Sequence, residues 1–306
     1  MYTFIINPYS RSGRGQEIWI RLEPILKTRG IDYEAHFTKY QKHAAAIVRE
    51  ITSDAQPHTL VILGGDGTIN EVINGIRHFD KVTLGYIPTG SSNDFSRAQR
   101  LPKDPVKALN IILDGKHLRP VDIGIMNYQQ KKRNFIVSTG IGFDAAVCHQ
   151  AVISKMKVLL NHLKLGKLTY VGIALNRLIF SKSCRLTLTL DDQTPVTFND
   201  AFFATAMNHC YEGGGFKFCP AAKPDDRYLD VIVVDTNSKL KVLVLLPAVF
   251  FGLHTKARCV HIFTCRTAVF ETDRALAVHC DGEPVFLQRR IKASLAEKQI
   301  NLITKH

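Results

Sequence analysis

Through Asp122 the chain alternates between short apolar runs and segments whose apolar residues recur every three or four positions. "YTFII", "DYEAHFT", "TLVIL" and "VTLGYIP" read as strands, and "EIWIRLEPILKTRG", "QKHAAAIVREIT" and "TINEVINGI" as helices between them. In the last of these, Ile69, Val72, Ile73 and Ile76 fall at i, i+3, i+4 and i+7, one face that predicts packing on a sheet, and Thr68 stands where an N-cap belongs. Strands alternating with helices predict an α/β domain with a parallel sheet covered on both faces.

After Asp122 the pattern changes to short strand-like pieces separated by turn residues, among them "CRLTLTLDD", "PVTFNDAFFATAMN", "YLDVIVVDT" and "LAVHCDGEPV". Strict alternation in "RLTLTLD" predicts a half-buried strand, and the whole predicts a mostly antiparallel, β-rich second domain. Two helical segments interrupt it, "SKMKVLLNHLKLGKLTYVGIALNRLIF" and "SKLKVLVLLPAVFFGLH". The expected division is 1–122 and 123–306, with the last segment free to return to the first domain. There is no internal repeat or low-complexity tract.

Composition adds a compartment and a class of partner. Lys and Arg outnumber Asp and Glu 40 to 27, a net charge of +13 that attracts polyanions without choosing among nucleic acid, anionic membrane and phosphorylated ligands. The chain opens on "MYTFIINP", with no basic, then apolar, export signal. Its longest apolar run, Val242 to Leu253, is too short to span a bilayer and contains Pro247. Seven cysteines without a C-x-x-C pair predict a reducing cytoplasm. The expectation is a cytoplasmic protein, soluble or peripheral to a membrane.

The candidate chemistry lies where strands end, the place where ligands bind in α/β sheets. "GGDGTINEVINGI" follows "TLVIL"; Gly64, Gly65 and Gly67 let backbone amides approach a ligand, and a helix N-terminus favours an anion. No Walker A lysine pattern occurs, and Asp66 sits in the turn instead. A carboxylate beside an anion needs a cation, and Mg²⁺ on a nucleotide triphosphate is the simplest one; otherwise Asp66 merely caps a helix. "PTGSSNDFSR" follows the next strand with Gly90, Ser91, Asn93 and Asp94, "PVDIG" places Asp122 at the domain crossover, and "NPYSRSGRG" follows the first strand with Arg11 and Arg14. Four such clusters at strand ends would converge on one crevice.

Other patterns weigh less. "TGIGFDAAV" fits the dinucleotide fingerprint, but no acidic residue occurs from Ala145 to Leu190, so that reading is rejected. The histidines show no paired-ligand spacing for zinc, and the cysteines read as small buried hydrophobes. "HCDGEPV" contains Asp-Gly, a strong hairpin signal, and Asp281 there is equally an isolated carboxylate. The acid-free stretch carries Lys155, Lys157, Lys164, Lys167, Arg177, Lys182 and Arg185 among apolar residues, which suits an anionic membrane surface or an ordinary solvated face.

Taken in order, these motifs resemble the diacylglycerol kinase catalytic family, especially its soluble bacterial lipid kinases. "NPYSRSGRG" is similar to the family's N-P-x-S-G opening, "TKYQKHA" to its T-x-x-x-x-H-A stretch, and "PTGSSNDFSR" to P-x-G-T-x-N-D-F-A-R. "GGDGTINEVINGI", "TGIGFDA", "NHCYEGGGFKFCPAAKPDDRYLDV" and "DGEP" follow the expected order. GGDGT alone is shared with NAD kinases.

The resemblance implies an NAD-kinase/diacylglycerol-kinase-like fold and a site for ATP and Mg²⁺ between the domains. Asn7, Arg11, Arg14, Thr38, Gly64, Gly65, Gly67, Thr68, Gly90, Ser91 and Asn93 would meet the nucleotide. Asp66, Asp94 and Asp122 would reach Mg²⁺ through water, and Asp281 would be the general base with Glu283 beside it. Asp226 and the carbonyl of Tyr228 would hold a structural metal. The implied acceptor is a lipid hydroxyl at an anionic membrane surface, diacylglycerol first, with a sphingoid base, another lipid alcohol or NAD as alternatives. Nucleic acid is not an expected partner, and a homodimer stays open. A non-catalytic nucleotide- or polyanion-binding relative is the rival, which the presence of Asp281 disfavours. Two departures stand out: Arg11-Ser12 replaces the family's Gly-Lys, removing its phosphate-contacting lysine, and Arg227 replaces the glycine of D-D-G.

Overall fold

A computed structural model describes residues 1–153 and 176–305. They form two compact units, residues 1–123 with 297–305, and residues 124–153 with 176–296.

The first unit runs β1 (Tyr2–Ile6), α1 (Arg14–Thr28), β2 (Tyr33–Phe37), α2 (His43–Ile51), β3 (His58–Gly64), α3 (Asp66–Gly75), β4 (Val82–Pro88), α4 (Asp94–Ala98), α5 (Pro105–Asp114) and β5 (His117–Val121). Leu60 to Leu63 of β3 are fully buried, as a central parallel strand requires. The predicted face of α3 is buried at all four positions, Ile69, Val72, Ile73 and Ile76. α1 buries Ile18, Trp19, Leu22 and Leu26 in one core with Phe4, Val61 and Ile87. Asp104 caps α5, its side chain accepting the Lys107 N–H at 2.8 Å, with Pro105 in the first turn and Gly115 closing the helix at φ 59°.

The second unit runs β6 (Gly124–Tyr128), β7 (Lys131–Phe135), β8 (Ser138–Gly142), α6 (Phe143–Ile153), β9 (Cys184–Leu190), β10 (Val196–Met207), β11 (Leu229–Asp235), α7 (Lys239–Phe251), β12 (Val260–Cys265), β13 (Thr267–Cys280) and β14 (Glu283–Leu295). These nine strands form one antiparallel sheet in the order β12-β11-β10-β8-β13-β14-β6-β7. β8 and β9 share a slot: β10 and β13 pair with β8 along one half and with β9 along the other. The alternation in "RLTLTLD" is realised in β9, where Cys184, Leu186 and Leu188 are buried and Arg185 is exposed.

β15 (Ile300–Thr304) returns to the first unit and completes a six-stranded sheet in the order β2-β1-β3-β4-β15-β5. Only the β15–β5 pairing is antiparallel. The chain steps from β1 to β2 on one side and then to β3 on the other, so the loops after β1 and β3 diverge at a topological switch point.

Candidate active site

In the first unit, three loops leave the same edge of the sheet and are tied together. Asn7, after β1, donates from Nδ2 to Thr68 Oγ1 at 3.0 Å. Ser10 and Thr89 share a buried hydroxyl–hydroxyl bond of 2.6 Å. The Thr89 N–H and the Tyr86 hydroxyl both donate to the Gly64 carbonyl, at 2.8 and 3.2 Å. Thr38, after β2, donates its N–H to the Ile6 carbonyl at 2.8 Å. Gly65 and Gly90 lie back to back: a Cβ on Gly90 would stand 2.7 Å from the Gly65 Cα, so neither turn has room for a side chain there. Asn93 sits at φ 52° and donates from Nδ2 to the Gly90 carbonyl at 2.9 Å, while Ser91 is exposed. Thr68 is not the N-cap. The helix starts two residues earlier, at Asp66 after Gly65, because Gly65 supplies the extended backbone, leaving Thr68 as a buried partner for Asn7.

Asp66 and Asp94 are brought together. The Asp66 carboxylate accepts the N–H of Asp94 at 3.1 Å and of Phe95 at 3.3 Å, so it caps α4 from the turn after β3. Asp94 is buried and ion-paired with Arg97. Burial, and then the charges of Asp66 and Asp94, holds the Tyr86 hydroxyl proton well above the ordinary tyrosine range. Asp122 is buried and accepts from Gln299 Nε2 at 3.0 Å. By register Val121 faces Ile300, one residue before the Asn301–Thr83 row, so Asp122 leaves the sheet at the edge where β4 begins. The loops of Asp66 and Asp94 thus leave the carboxyl ends of the parallel strands and Asp122 does not, because β5 runs antiparallel to its one neighbour, β15.

The residues present suit a magnesium nucleotide. Adjacent carboxylates offer oxygen donors, the paired glycines expose backbone, and α3 points its N-terminus into the same loop cluster. Capping does not exclude a water-mediated metal contact, since a carboxylate has room for about four hydrogen bonds. Arg11 and Arg14 are exposed on the loop after β1. Arg11, Ser12 and Gly13 have φ of 46°, 59° and 98°, so Arg11 occupies a left-handed conformation that suits the glycine it replaces.

In the second unit, Asp281 and Gly282 form the two-residue turn joining β13 to β14, with φ of 51° and 75° and Cys280 paired to Glu283. The hairpin is therefore real, and it aims the carboxylate. Asp281 Oδ1 accepts the N–H of Val137 at 2.8 Å and of Ser138 at 3.0 Å, and Oδ2 accepts that of Ile136 at 2.9 Å. Its own N–H donates to the Ser138 carbonyl at 2.8 Å. The side chain is thus fixed by the segment entering β8.

Beside this turn is a buried polar cluster that sequence spacing did not reveal. His279 Nε2 lies 3.1 Å from Asp144 Oδ2 and 3.3 Å from Glu212 Oε1, and the Thr205 hydroxyl also donates to Asp144. The Gly282 N–H reaches His279 Nδ1 at 3.2 Å. Burial works against charge on this ring, but the Glu212 carboxylate, then the hydrogen bond and charge of Asp144, then Asp281, raise its pKa to about 9. The Gly282 amide, which needs a lone pair on Nδ1, pulls the other way; two carboxylates outweigh one amide. Gly140 makes the cluster fit: a Cβ there would lie 2.3 Å from Asp144 Oδ2 and 2.4 Å from the Thr205 hydroxyl. Cys148 approaches as well, its sulfur within 4.8 Å of the Glu212 and His279 donor atoms. These partners come from α6, β10, the β10–β11 loop and β13, so only the fold joins them.

Asp226 is exposed and accepts the Tyr228 N–H at 3.1 Å. Arg227, at φ 66°, keeps the left-handed backbone of the glycine it replaces, and its guanidinium donates to the Ala296 carbonyl at 2.7 Å. Asp226 belongs to no group of three ligating His, Cys, Asp or Glu side chains among the described residues.

Comparison with known proteins agrees with this layout. Residues 1–126 match the model of the diacylglycerol kinase catalytic domain, and residues 136–289 match that of the YegS C-terminal NAD kinase beta sandwich-like domain. The "Putative lipid kinase YtlR" of Bacillus subtilis (strain 168) is 32% identical over 290 residues, covering 92% of each chain. A "Diacylglycerol kinase" of Staphylococcus saprophyticus is 28% identical over 284 residues, 91% of this chain and 87% of that one. The crystal structure of a "putative diacylglycerol kinase" from Bacillus anthracis str. Sterne superposes with a TM-score of 0.78 at 24% identity, over 99% of this chain and 97% of the other. An NAD kinase from Archaeoglobus fulgidus in complex with ATP shares the fold at a TM-score of 0.51 and 10% identity, over 100% and 94% of the two chains. With its glycine turns, its paired aspartates and both of its domains accounted for, the chain belongs to the diacylglycerol kinase catalytic family.

Proposed function

We propose that this protein transfers the γ-phosphate of ATP to the hydroxyl of a membrane lipid, with diacylglycerol as acceptor and phosphatidate as product. The observation that carries the reading is Asp281, a carboxylate held by three backbone amides at the tip of a tight turn. A general base needs that fixed direction before it needs a tuned pKa.

In this reading Asn7, Thr38, Thr68, Ser91 and Asn93, with the backbone of Gly64, Gly65, Gly67 and Gly90, form the nucleotide cradle. Arg11 and Arg14 supply the positive charge that a lysine gives elsewhere in the family. Asp66 and Asp94 are the oxygen donors that would hold Mg²⁺ through water, whereas Asp122, at the edge of the sheet where β4 begins, stands apart from them. Bound Mg-ATP would supply the phosphoryl group and neutralise its charge. Asp281 takes the acceptor's hydroxyl proton as the new O–P bond forms and ADP departs with the bridging oxygen, and Glu283 supports it. The same base would serve a sphingoid base or another lipid alcohol. The reading includes reversible association with the cytoplasmic face of an anionic membrane; no helix among the described residues is long and apolar enough to cross one.

The test is Asp281→Asn together with Asp281→Ala. Both should lose more than about a hundredfold in transfer, within the usual range for a general base, while ATP affinity stays at the parent's value. Turnover near the parent's in either variant removes Asp281 from the chemistry.

A further inference from the structure

α7 has apolar residues on every side, yet only one side packs on the protein. Val242 and Val249 are buried, Val242 in the cluster with Phe203, Ile232 and Val234. On the other side Leu240, Leu243, Val244 and Phe251 recur at i, i+3, i+4 and i+11, one stripe of a helix, and all are exposed. Leu240 is 70% exposed, Val244 65% and Phe251 74%. A surface helix of a globular protein ordinarily carries polar residues there, and a contiguous exposed apolar patch marks an interaction site. The helix is held firmly in this orientation: Phe250 stacks on Phe216 with ring centroids 4.0 Å apart, and the Lys217 N–H donates to the Val249 carbonyl at 3.1 Å.

Charge identifies the occupant. From Thr236 to Phe270 there is no acidic residue, whereas Lys239, Lys241, Lys256 and Arg258 are exposed on and just after the helix. Lys239 also donates to the Ile179 carbonyl, next to Phe180, itself 72% exposed, which extends the patch. An apolar stripe rimmed by cations and free of acids fits the boundary between anionic headgroups and acyl chains. A second copy of the chain fits badly, because a two-fold contact would set these lysines against each other with no carboxylate between them.

We propose that α7 is the membrane-docking element of this protein, lying in the plane of an anionic leaflet with Leu240, Val244 and Phe251 inserted and Lys239 and Lys241 against the headgroups. The inference rests on the lipid-kinase reading for its purpose, though not for its test. The basic residues Lys155, Lys157, Lys164 and Lys167, the surface suggested by sequence alone, lie outside the described residues.

The experiment is co-sedimentation of the full chain with vesicles of equal parts phosphatidylglycerol and phosphatidylcholine, and of phosphatidylcholine alone, at low and high salt. The parent should bind the anionic vesicles and release as salt rises. Leu240→Glu/Val244→Glu/Phe251→Glu should weaken binding at least about a hundredfold, and Lys239→Glu/Lys241→Glu about tenfold and only at low salt. Both variants should keep the parent's circular dichroism and its activity on a dispersed short-chain diacylglycerol. If the triple variant binds as tightly as the parent, or loses a dimer instead of vesicle binding, the proposal is overturned. A parent that phosphorylates the short-chain lipid but ignores anionic vesicles overturns the docking proposal and leaves the kinase reading standing. A parent that binds vesicles through α7 but phosphorylates no lipid supports docking and removes the kinase reading.

Discussion

The carboxylate of Asp66 accepts the backbone N–H of Asp94 at 3.1 Å, so the glycine turn after β3 also builds the start of α4. Two of the aspartates assigned to the metal are thus mechanically coupled. Asp66→Ala should lose activity and also about 1 kcal/mol of stability, the usual cost of a lost cap. Asp66→Asn keeps an acceptor for one of the two capping bonds, turns an amide donor toward the other N–H and removes the charge. Its melting temperature should fall no further than that of Asp66→Ala, while magnesium-dependent transfer collapses. An Asn variant with normal activity would reduce Asp66 to a cap.

Arg11 stands at φ 46°, a conformation that costs a non-glycine residue about 1–2 kcal/mol. Arg11→Gly relieves that strain, offset by about 0.4–1 kcal/mol of added unfolded-state entropy. Stability should therefore hold or rise slightly, while the KM for ATP rises as a phosphate-directed cation disappears. Arg11→Gly with Ser12→Lys, which restores the family's Gly-Lys pair, should recover the lost affinity. Unfolding titrations and ATP kinetics on the two variants check both halves, and a single variant with unchanged KM would show that Arg11 does not face the nucleotide.

The second unit should be acid-sensitive through His209. This buried ring accepts the Tyr211 N–H at 3.3 Å, and burial pushes its pKa from 6.5 to about 3. Between those values the unfolded chain binds a proton that the folded chain refuses. Stability therefore falls as pH drops through that window, by up to about 1.4 kcal/mol per unit. His279 has the opposite sign: raised to about 9, its share is complete below 6.5 and is lost as pH rises through 9. His209→Asn, which keeps an acceptor for Tyr211, should flatten the acid limb in urea titrations run across pH. A limb unchanged in that variant assigns the acid sensitivity to other groups.

The His279 cluster should dominate the stability of its unit. His279→Ala leaves the Asp144 and Glu212 carboxylates buried without the ring between them, a loss of about 3–5 kcal/mol. Gly140→Ala should be comparably severe, because its Cβ would stand 2.3 Å from Asp144 Oδ2. Thermal unfolding decides, and a Gly140→Ala protein as stable as the parent would mean that the cluster opens readily.

What could be read in the sequence was local. The apolar face of α3, the buried run in β3 and the alternation in β9 depend on neighbours along the chain, and each appears in the structure as its periodicity predicts. The glycine turns were legible because their backbone approach excludes side chains. What depended on distant partners was hidden. Thr68 reads as a cap in the sequence because its Asn7 partner lies 61 residues away. Asp144 and His279 meet across 135 residues with no spacing to announce them. The reversed direction of β5, which separates Asp122 from the strand-end rule, appears only once β15 is known to lie between β4 and β5. The outward face of α7 was invisible because an all-apolar run does not say which side is covered.

Lipid phosphorylation is checked by incubating the purified chain with Mg²⁺, γ-labelled ATP and a panel of diacylglycerol, a sphingoid base, a monoacyl lipid alcohol and NAD. Label should appear in phosphatidate, dependent on magnesium and absent with Asp281→Ala. Label in the NAD product alone, or in none of the acceptors while ATP still binds, would contradict it.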